Sequence, residues 1–242
     1  MNNIINITNL KKSFNGVAVL KGLNLELNEG ENLVVVGKSG EGKSVSIQCI
    51  AGMIVPDEGE IKVLENEIEN ISPEALKKLR VKIGFLFQHG ALYDSMTVRE
   101  NLAFPLQRVL NIIDLSEIEK RSMQALEDIG LAEIIDKMPS DLSGGQRKRL
   151  ALARMLIVNP SIILYDEPTT GLDTVTSKEI SMLIRSIQKK YNTSSIIITH
   201  DMSCARLTAD KIIIINEGKC FAEGSYDELE NSSDPFISSF FK

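Results

Sequence analysis

Histidine, cysteine and long apolar runs are all scarce in this 242-residue chain, and each scarcity excludes something. The three cysteines, Cys49, Cys204 and Cys220, are scattered without a Cys-x-x-Cys pair. They offer neither a metal framework nor a disulfide framework, and they suit a reducing cytosol. No stretch approaches the roughly 18 apolar residues of a membrane helix. The longest runs, such as Ile212 to Ile215, have strand length. Met1 to Leu10 is rich in Asn and lacks the basic start and apolar middle of a secretory signal. A membrane role therefore requires a separate membrane partner. Positive charge is also in short supply: a net charge of −6 argues against wrapping nucleic acid over a large surface.

What is present is an ordinary globular composition, 43% hydrophobic and 25% charged. Strand-like apolar blocks lie at Leu23 to Leu27, Leu33 to Val36, Ile162 to Tyr165, Ile196 to Thr199 and Ile212 to Ile215. The last four are continuously apolar, as in strands buried on both faces. Helical patterns alternate with them, which predicts a mainly parallel sheet with crossover helices. From about Gln88 to Asn159 the pattern turns mostly helical. Ser116 and Glu119 have the spacing of a capping box, predicting a helix to Ile129 that Gly130 stops. Asn159-Pro160 ends a later helix. The expected fold is α/β, a mainly parallel core interrupted by a helical insert. The basic cluster Arg147-Lys148-Arg149 reads as a solvated helix face rather than a nucleic-acid contact.

Directly after the apolar run Leu33 to Val36 comes Gly37-Lys38-Ser39-Gly40-Glu41-Gly42-Lys43-Ser44, followed by Val45. This is the phosphate-binding loop pattern between a strand and a helix. Its glycines let the backbone curl without Cβ clashes, and the curled amides point inward as an anion nest. The following helix adds its N-terminal dipole. Lys43 would reach the β- and γ-phosphates, and Ser44 would hold Mg²⁺. A second motif, Ile162 to Glu167, delivers two carboxylates at the C-terminal end of an apolar strand, where α/β sheets bind ligands. Asp166 would hold Mg²⁺ through water, and Glu167 would orient and deprotonate an attacking water.

The third motif is Leu142-Ser143-Gly144-Gly145-Gln146. Lying between the other two, it makes the chain resemble the ATP-binding cassette (ABC) ATPases over essentially its whole length. The resemblance implies a P-loop NTPase fold of the ABC nucleotide-binding type, with ATP and Mg²⁺ as cofactors and ATP hydrolysis as the activity. It implies a single domain over 1–242: a RecA-like core at about 1–88 and 160–230, a helical signature subdomain at about 89–159, and a tail at 231–242. By the same resemblance Phe14 stacks on adenine, Gln88 contacts Mg²⁺ and the water, and Asp173 lies in a loop crossing a dimer interface. His200 is the switch histidine at the γ-phosphate. Residues Leu142 to Gln146 bind the nucleotide of a second copy, so two chains sandwich two ATP molecules. Many relatives carry Thr where this chain has Val45, whose N–H remains available as a donor.

The Gln88-x-Gly90-Ala91-Leu92 and Phe104-Pro105-Leu106 elements are similar to those of Mce/Mla-type phospholipid-transport ATPases. Lys43-Ser44-Val45, Met138 to Ser143 and Ser233 to Phe236 lean the same way. This resemblance implies a peripheral protein on the cytoplasmic face of the inner membrane. It also implies a permease contacting the region from about His89 to Pro105, and further periplasmic lipid-binding subunits. The alternatives are another ABC system, for lipoprotein release or solute import, and a non-transport ABC ATPase such as a cluster-assembly ATPase. Phe236, Ile237, Phe240 and Phe241 form one apolar stripe if helical, expected to dock on the core or on the partner ATPase.

Overall fold

Successive side chains of a strand point to opposite faces, so a strand with no polar face must be covered on both sides. The stretch Asn32–Gly37 is buried at every position, and it forms the centre of the molecule. The computed structural model describes residues 2–241. In chain order its elements are β1 (Asn3–Phe14), β2 (Val17–Asn28), β3 (Asn32–Gly37), α1 (Lys43–Ile50), β4 (Glu58–Val63), β5 (Asn66–Glu67), α2 (Pro73–Val81) and β6 (Ile83–Leu86). There follow α3 (Val98–Arg108), α4 (Leu115–Asp128), α5 (Gly144–Leu156), β7 (Ile162–Asp166), α6 (Thr174–Tyr191) and β8 (Ser194–Ile198). The chain closes with α7 (Met202–Thr208), β9 (Lys211–Asn216), β10 (Lys219–Gly224), α8 (Tyr226–Glu230) and α9 (Pro235–Ser238).

Six strands form the main sheet in the order β10-β9-β3-β8-β7-β6. Neighbours from β9 to β6 are parallel, and β10 is an antiparallel edge. The mainly parallel sheet read from the apolar blocks is therefore present. Its two faces sort by alternation. Leu33, Val35, Ile213 and Ile215 join one core with α1 and a second sheet. Val34, Val36, Ile212 and Ile214 join another core with α5 and α6. A third cluster unites α3, α4 and the opposite side of α5, through residues such as Leu102, Leu126 and Leu150. Helix α5 thus belongs to two cores, with Leu152 facing the sheet and Leu150 facing the helical layer.

The second sheet is antiparallel, in the order β2-β1-β4-β5. Of it, the apolar blocks announced only Leu23 to Leu27. Register shifts between Ile7 and Leu10 break the alternation of β1 and hide its period of two. One helix start also differs from expectation. The N-cap of α4 is Asp114, whose carboxylate accepts from the Ser116 N–H at 3.0 Å. Glu119 pairs with Arg99 instead of closing a box on Ser116. Gly130, at φ 69°, does provide the left-handed stop. Helix α5 starts at Gly144, inside the third motif, with Ser143 and Gln146 forming its capping box.

The C-terminal stripe docks on the protein's own core. Ile237 is buried in the core shared with α5 and α6, and Phe236, Phe240 and Phe241 pack against that core, although the helix ends at Ser238 and the last two lie beyond it. Among the described residues no helix is long and apolar enough to cross a membrane.

Candidate functional site

Loops at the C-terminal ends of parallel strands converge on one side of the sheet. Here they form a cleft of about 800 Å³ lined by Phe14, Gly37, Lys38, Ser39, Gly40, Gly42, Lys43, Ser44, Val45, Gln88, Glu167 and His200, together with Val19, Thr170 and Phe240. Most of the residues singled out from the sequence therefore share one wall. Phe14 ends β1 with 41% exposure, so its ring is not spent on core packing, and Lys12 Nζ lies over the ring at 5.5 Å from its centroid. The Glu41 side chain turns away and accepts from the Gly218 N–H at 3.2 Å.

The loop between β3 and α1 is built for close approach. Gly42, the N-cap of α1, has φ 88°. Lys43 is 8% exposed, and its ammonium donates to the carbonyls of Gly37 at 2.7 Å and Lys38 at 2.9 Å. Burial lowers its pKa, opposed by the charges of Glu167, Glu41 and Asp166. A buried cation surrounded by a curled backbone at a helix N-terminus is suited to an anion with several oxygens.

The end of β7 supplies the carboxylates. Asp166 is buried and accepts from Ser44 Oγ at 2.7 Å. Burial raises its pKa, with the Ser44 hydrogen bond pulling the other way. Glu167 takes a left-handed backbone, φ 50°, a conformation a non-glycine residue keeps only when its surroundings fix it. Its N–H donates to the Ile198 carbonyl at 3.0 Å. Thr170 Oγ1 donates to Glu167 Oε2 at 3.1 Å, and the same oxygen lies 2.8 Å from His200 Nδ1. This geometry suits a proton on Nδ1 donated to the carboxylate, which leaves Nε2 for the cleft. The His200 side chain is 67% exposed, whereas Glu167 is 14% exposed, so the histidine covers the carboxylate from the solvent side.

Ser44 and Asp166 are hard oxygen donors beside the phosphate cradle, the donor chemistry Mg²⁺ prefers. Among the described residues there is no group of three or more His, Cys, Asp or Glu able to hold a metal by itself. The site therefore fits a cation shared between protein and phosphate oxygens.

Leu142 to Gln146 do not line this cleft. Ser143 and Gly144 are exposed at the N-terminus of α5. A Cβ on Gly145 would lie 2.6 Å from Thr176 Cγ2 of α6. Asp173 caps α6, accepting from the N–H groups of Val175 and Thr176, both at 3.0 Å.

The basic cluster is not a solvated face. Arg147 pairs with Asp94 at 2.9 Å and Arg149 with Glu179 at 2.6 Å. Lys148 is buried and donates to the Gln88 carbonyl at 2.7 Å. The signal lay in helical spacing, since Lys148 shares its face with Leu152 and Met155 four and seven positions on. Thr170 carried no signal of its own in the sequence, and Phe240 stood out only as part of the C-terminal apolar stripe, not as a cleft residue.

Residues 20–170 match the family model described as ABC transporter. A methionine import ATP-binding protein of Rhizobium johnstonii is 38% identical over 91% of this chain. The match covers 60% of that protein, so this chain spans well under the relative's full length. The protein trigalactosyldiacylglycerol 3, chloroplastic, of Arabidopsis thaliana is 35% identical over 98% of this chain and 73% of its own length. Among solved structures, a dimeric post-hydrolysis state of the ATP-binding cassette MJ0796, bound to ADP and Pi, superposes with a TM-score of 0.84 at 32% identity. That likeness covers 92% of this chain and 98% of the other. Fold, loop and matches agree, and the chain belongs to the ABC transporter family.

Proposed function

We propose that the chain hydrolyses ATP in this cleft and serves as the motor subunit of a membrane transporter. The observation that carries the reading is the Glu167 carboxylate, held by His200 and Thr170 across from the Lys43 loop. Phe14 would take the adenine face, Gly37 to Val45 would hold the phosphates, and Lys43 would turn from its loop carbonyls to the β- and γ-oxygens. Ser44, Gln88 and Asp166 would hold Mg²⁺, which neutralises phosphate charge when bound. Glu167 Oε1, free of the His200 and Thr170 bonds, would accept the proton of a water positioned by Gln88.

The exposed start of α5 supports a paired arrangement. Its amides and Ser143 have no nucleotide to reach in their own cleft, so a second copy would bring them to the γ-phosphate, with Asp173 at the interface. The dimeric solved relative supports this. A hydrogen bond to a charged group contributes about 1.5–3 kcal/mol. Moving a two-state equilibrium from 1:99 to 99:1 takes about 5.5 kcal/mol. Two or three γ-phosphate bonds would therefore gate closure, and hydrolysis would reopen the pair. The helical segment at about 89–159 would carry the stroke outward. A groove of about 260 Å³ bordered by Tyr93, Phe104, Pro105 and Val109 is where a permease would dock. The chain would then lie on the cytoplasmic face of the membrane.

For the cargo, the methionine import relative favours solute import over the phospholipid reading. A lipid cargo keeps one specific support: the Arabidopsis relative, matched over nearly the whole chain, is named for a glycolipid, which is not itself a phospholipid. Purification of tagged Glu167→Gln from native membranes with ATP and Mg²⁺ tests both. A permease with a solute-binding subunit supports import. A permease with periplasmic lipid-binding subunits and bound phospholipid supports lipid transport. Recovery of soluble partners alone would overturn the transporter reading.

A further inference from the structure

Lys148 is a buried cation that the chemistry above does not use. It is 6% exposed, on the face of α5 that packs Leu152 and Met155 into the core. An ammonium group is strongly hydrated, and burying one is unfavourable unless hydrogen-bond acceptors and opposite charges replace its water. Lys148 finds both. Its Nζ donates to the Gln88 carbonyl at 2.7 Å and lies 3.5 Å from the Glu167 carbonyl. Burial still lowers its pKa, to about 8, against the opposing fields of Asp166 and Glu167.

The two carbonyls belong to different segments. Gln88 follows β6 and Glu167 follows β7. Lys148 sits in the second turn of the helix that begins at the exposed Ser143-Gly144 end. One side chain thus ties the start of α5 to both residues that would handle water. At Glu167 the tie meets a backbone that needs holding: the left-handed conformation is fixed on one side by the Ile198 carbonyl and on the other by Lys148.

We infer that Lys148 is a positioning residue for ATP hydrolysis, setting the backbones of Gln88 and Glu167 in register with the signature helix so that a shift of α5 reaches both. The inference rests on the roles proposed above for Gln88 and Glu167. Lys148 itself does not line the cleft, so it would act through the Gln88 and Glu167 backbones. Its effect must therefore appear in turnover and not in nucleotide affinity.

The test uses the full chain with Lys148→Met, Lys148→Gln and Glu167→Gln, each measured for ATP affinity and for kcat and KM. Lys148→Met keeps the length and removes the donor. It should bind ATP as the wild type does, while kcat falls by about 100-fold, the scale set by a misplacement of about 1 Å. Lys148→Gln keeps an N–H donor on a shorter stem that reaches one carbonyl at most. It should recover part of the loss, leaving kcat down by about tenfold at unchanged KM. The inference is overturned if Lys148→Met folds and turns over normally, or if affinity and kcat fall together and glutamine rescues neither. Should Lys148→Met fail to fold, Lys148→Gln decides: a lowered kcat at unchanged KM supports the role, and an unchanged kcat overturns it. Normal turnover in Glu167→Gln would instead remove the base assignment beneath the inference. An inactive Glu167→Gln beside a fully active Lys148→Met would remove the Lys148 role alone.

Discussion

Ser44 and Asp166 stand 122 positions apart in the chain and meet through a 2.7 Å hydrogen bond from Ser44 Oγ to Asp166 Oδ1. The bond joins the first turn of α1 to the end of β7, and so joins the phosphate cradle to the carboxylate pair. Two hard oxygens held in this way are suited to Mg²⁺. Ser44→Ala should weaken Mg-ATP binding by about tenfold or more, the scale of one charge-assisted bond. Binding in the presence of a chelator should change little. Titration calorimetry under both conditions checks this, and an equal loss in both would assign Ser44 to the fold rather than to the metal.

Glu167→Gln preserves the shape of the side chain and an oxygen for Thr170 and His200, but an amide cannot take up a proton at neutral pH. The expected result is retained ATP binding with kcat lowered by about 10²–10⁴-fold. A quenched-flow assay on one turnover would measure it directly. ATP that is bound and not cleaved should also prolong the paired state, which light scattering reads as a doubled mass. An unimpaired cleavage rate would require another base.

The parts legible in the sequence are those whose physics is local. Strands β3, β7, β8 and β9 are covered on both faces, so their apolar runs stand out without any knowledge of neighbours. The phosphate loop is equally local, since its glycines, lysine and serine are consecutive. The antiparallel sheet was hidden because shifts in β1 interrupt its alternation. The start of α4 was misread because Ser116 and Glu119 have capping-box spacing, whereas Asp114 makes the cap and Arg99, from another helix, takes up Glu119. Lys148 was misread because a basic triplet looks solvated until its partners, Gln88 and Glu167, are brought in from distant segments.

Two glycines of the phosphate loop should respond differently to alanine. A Cβ on Gly37 would lie 2.8 Å from the backbone oxygen of Ile215, across the β3–β9 pairing, and backbone cannot move aside without disturbing the sheet. A Cβ on Gly42 would meet side chains rather than backbone, Leu20 Cδ2 at 2.6 Å and Val19 Cγ1 at 3.0 Å, and its φ of 88° penalises any side chain. Gly37→Ala should lower stability by about 1–3 kcal/mol through overpacking. Gly42→Ala should spare more of the stability and lose ATP affinity, because relaxing φ uncurls the cradle. Urea melts and nucleotide titrations on both variants separate the effects. Equal behaviour of the two would contradict the distinction between a backbone clash and a dihedral constraint.

Asp210 fastens the entry of the central strand. It accepts from the Asn32 N–H at 2.9 Å and from Gln188 Nε2 at 2.8 Å, and it pairs with Arg185 at 2.7 Å. Partial burial pushes its pKa up, but the Asn32 N–H, Gln188 and Arg185 outweigh that and hold the carboxyl below its ordinary value. Unfolding returns the group to about 3.9. The folded state therefore favours the ionised form. The stabilisation is fully present above the unfolded value and is lost as pH falls through the depressed folded value. Asp210→Asn should reduce stability by about 1–3 kcal/mol at neutral pH, the scale of charge-assisted bonds. The gap between wild type and variant should narrow as the solution is acidified below about pH 4. Urea melts of both proteins across that range provide the measurement. A gap that stays constant or widens on acidification would show that the charge on Asp210 is not what secures β3, and would leave its packing between Gln188 and Arg185 as the remaining cause.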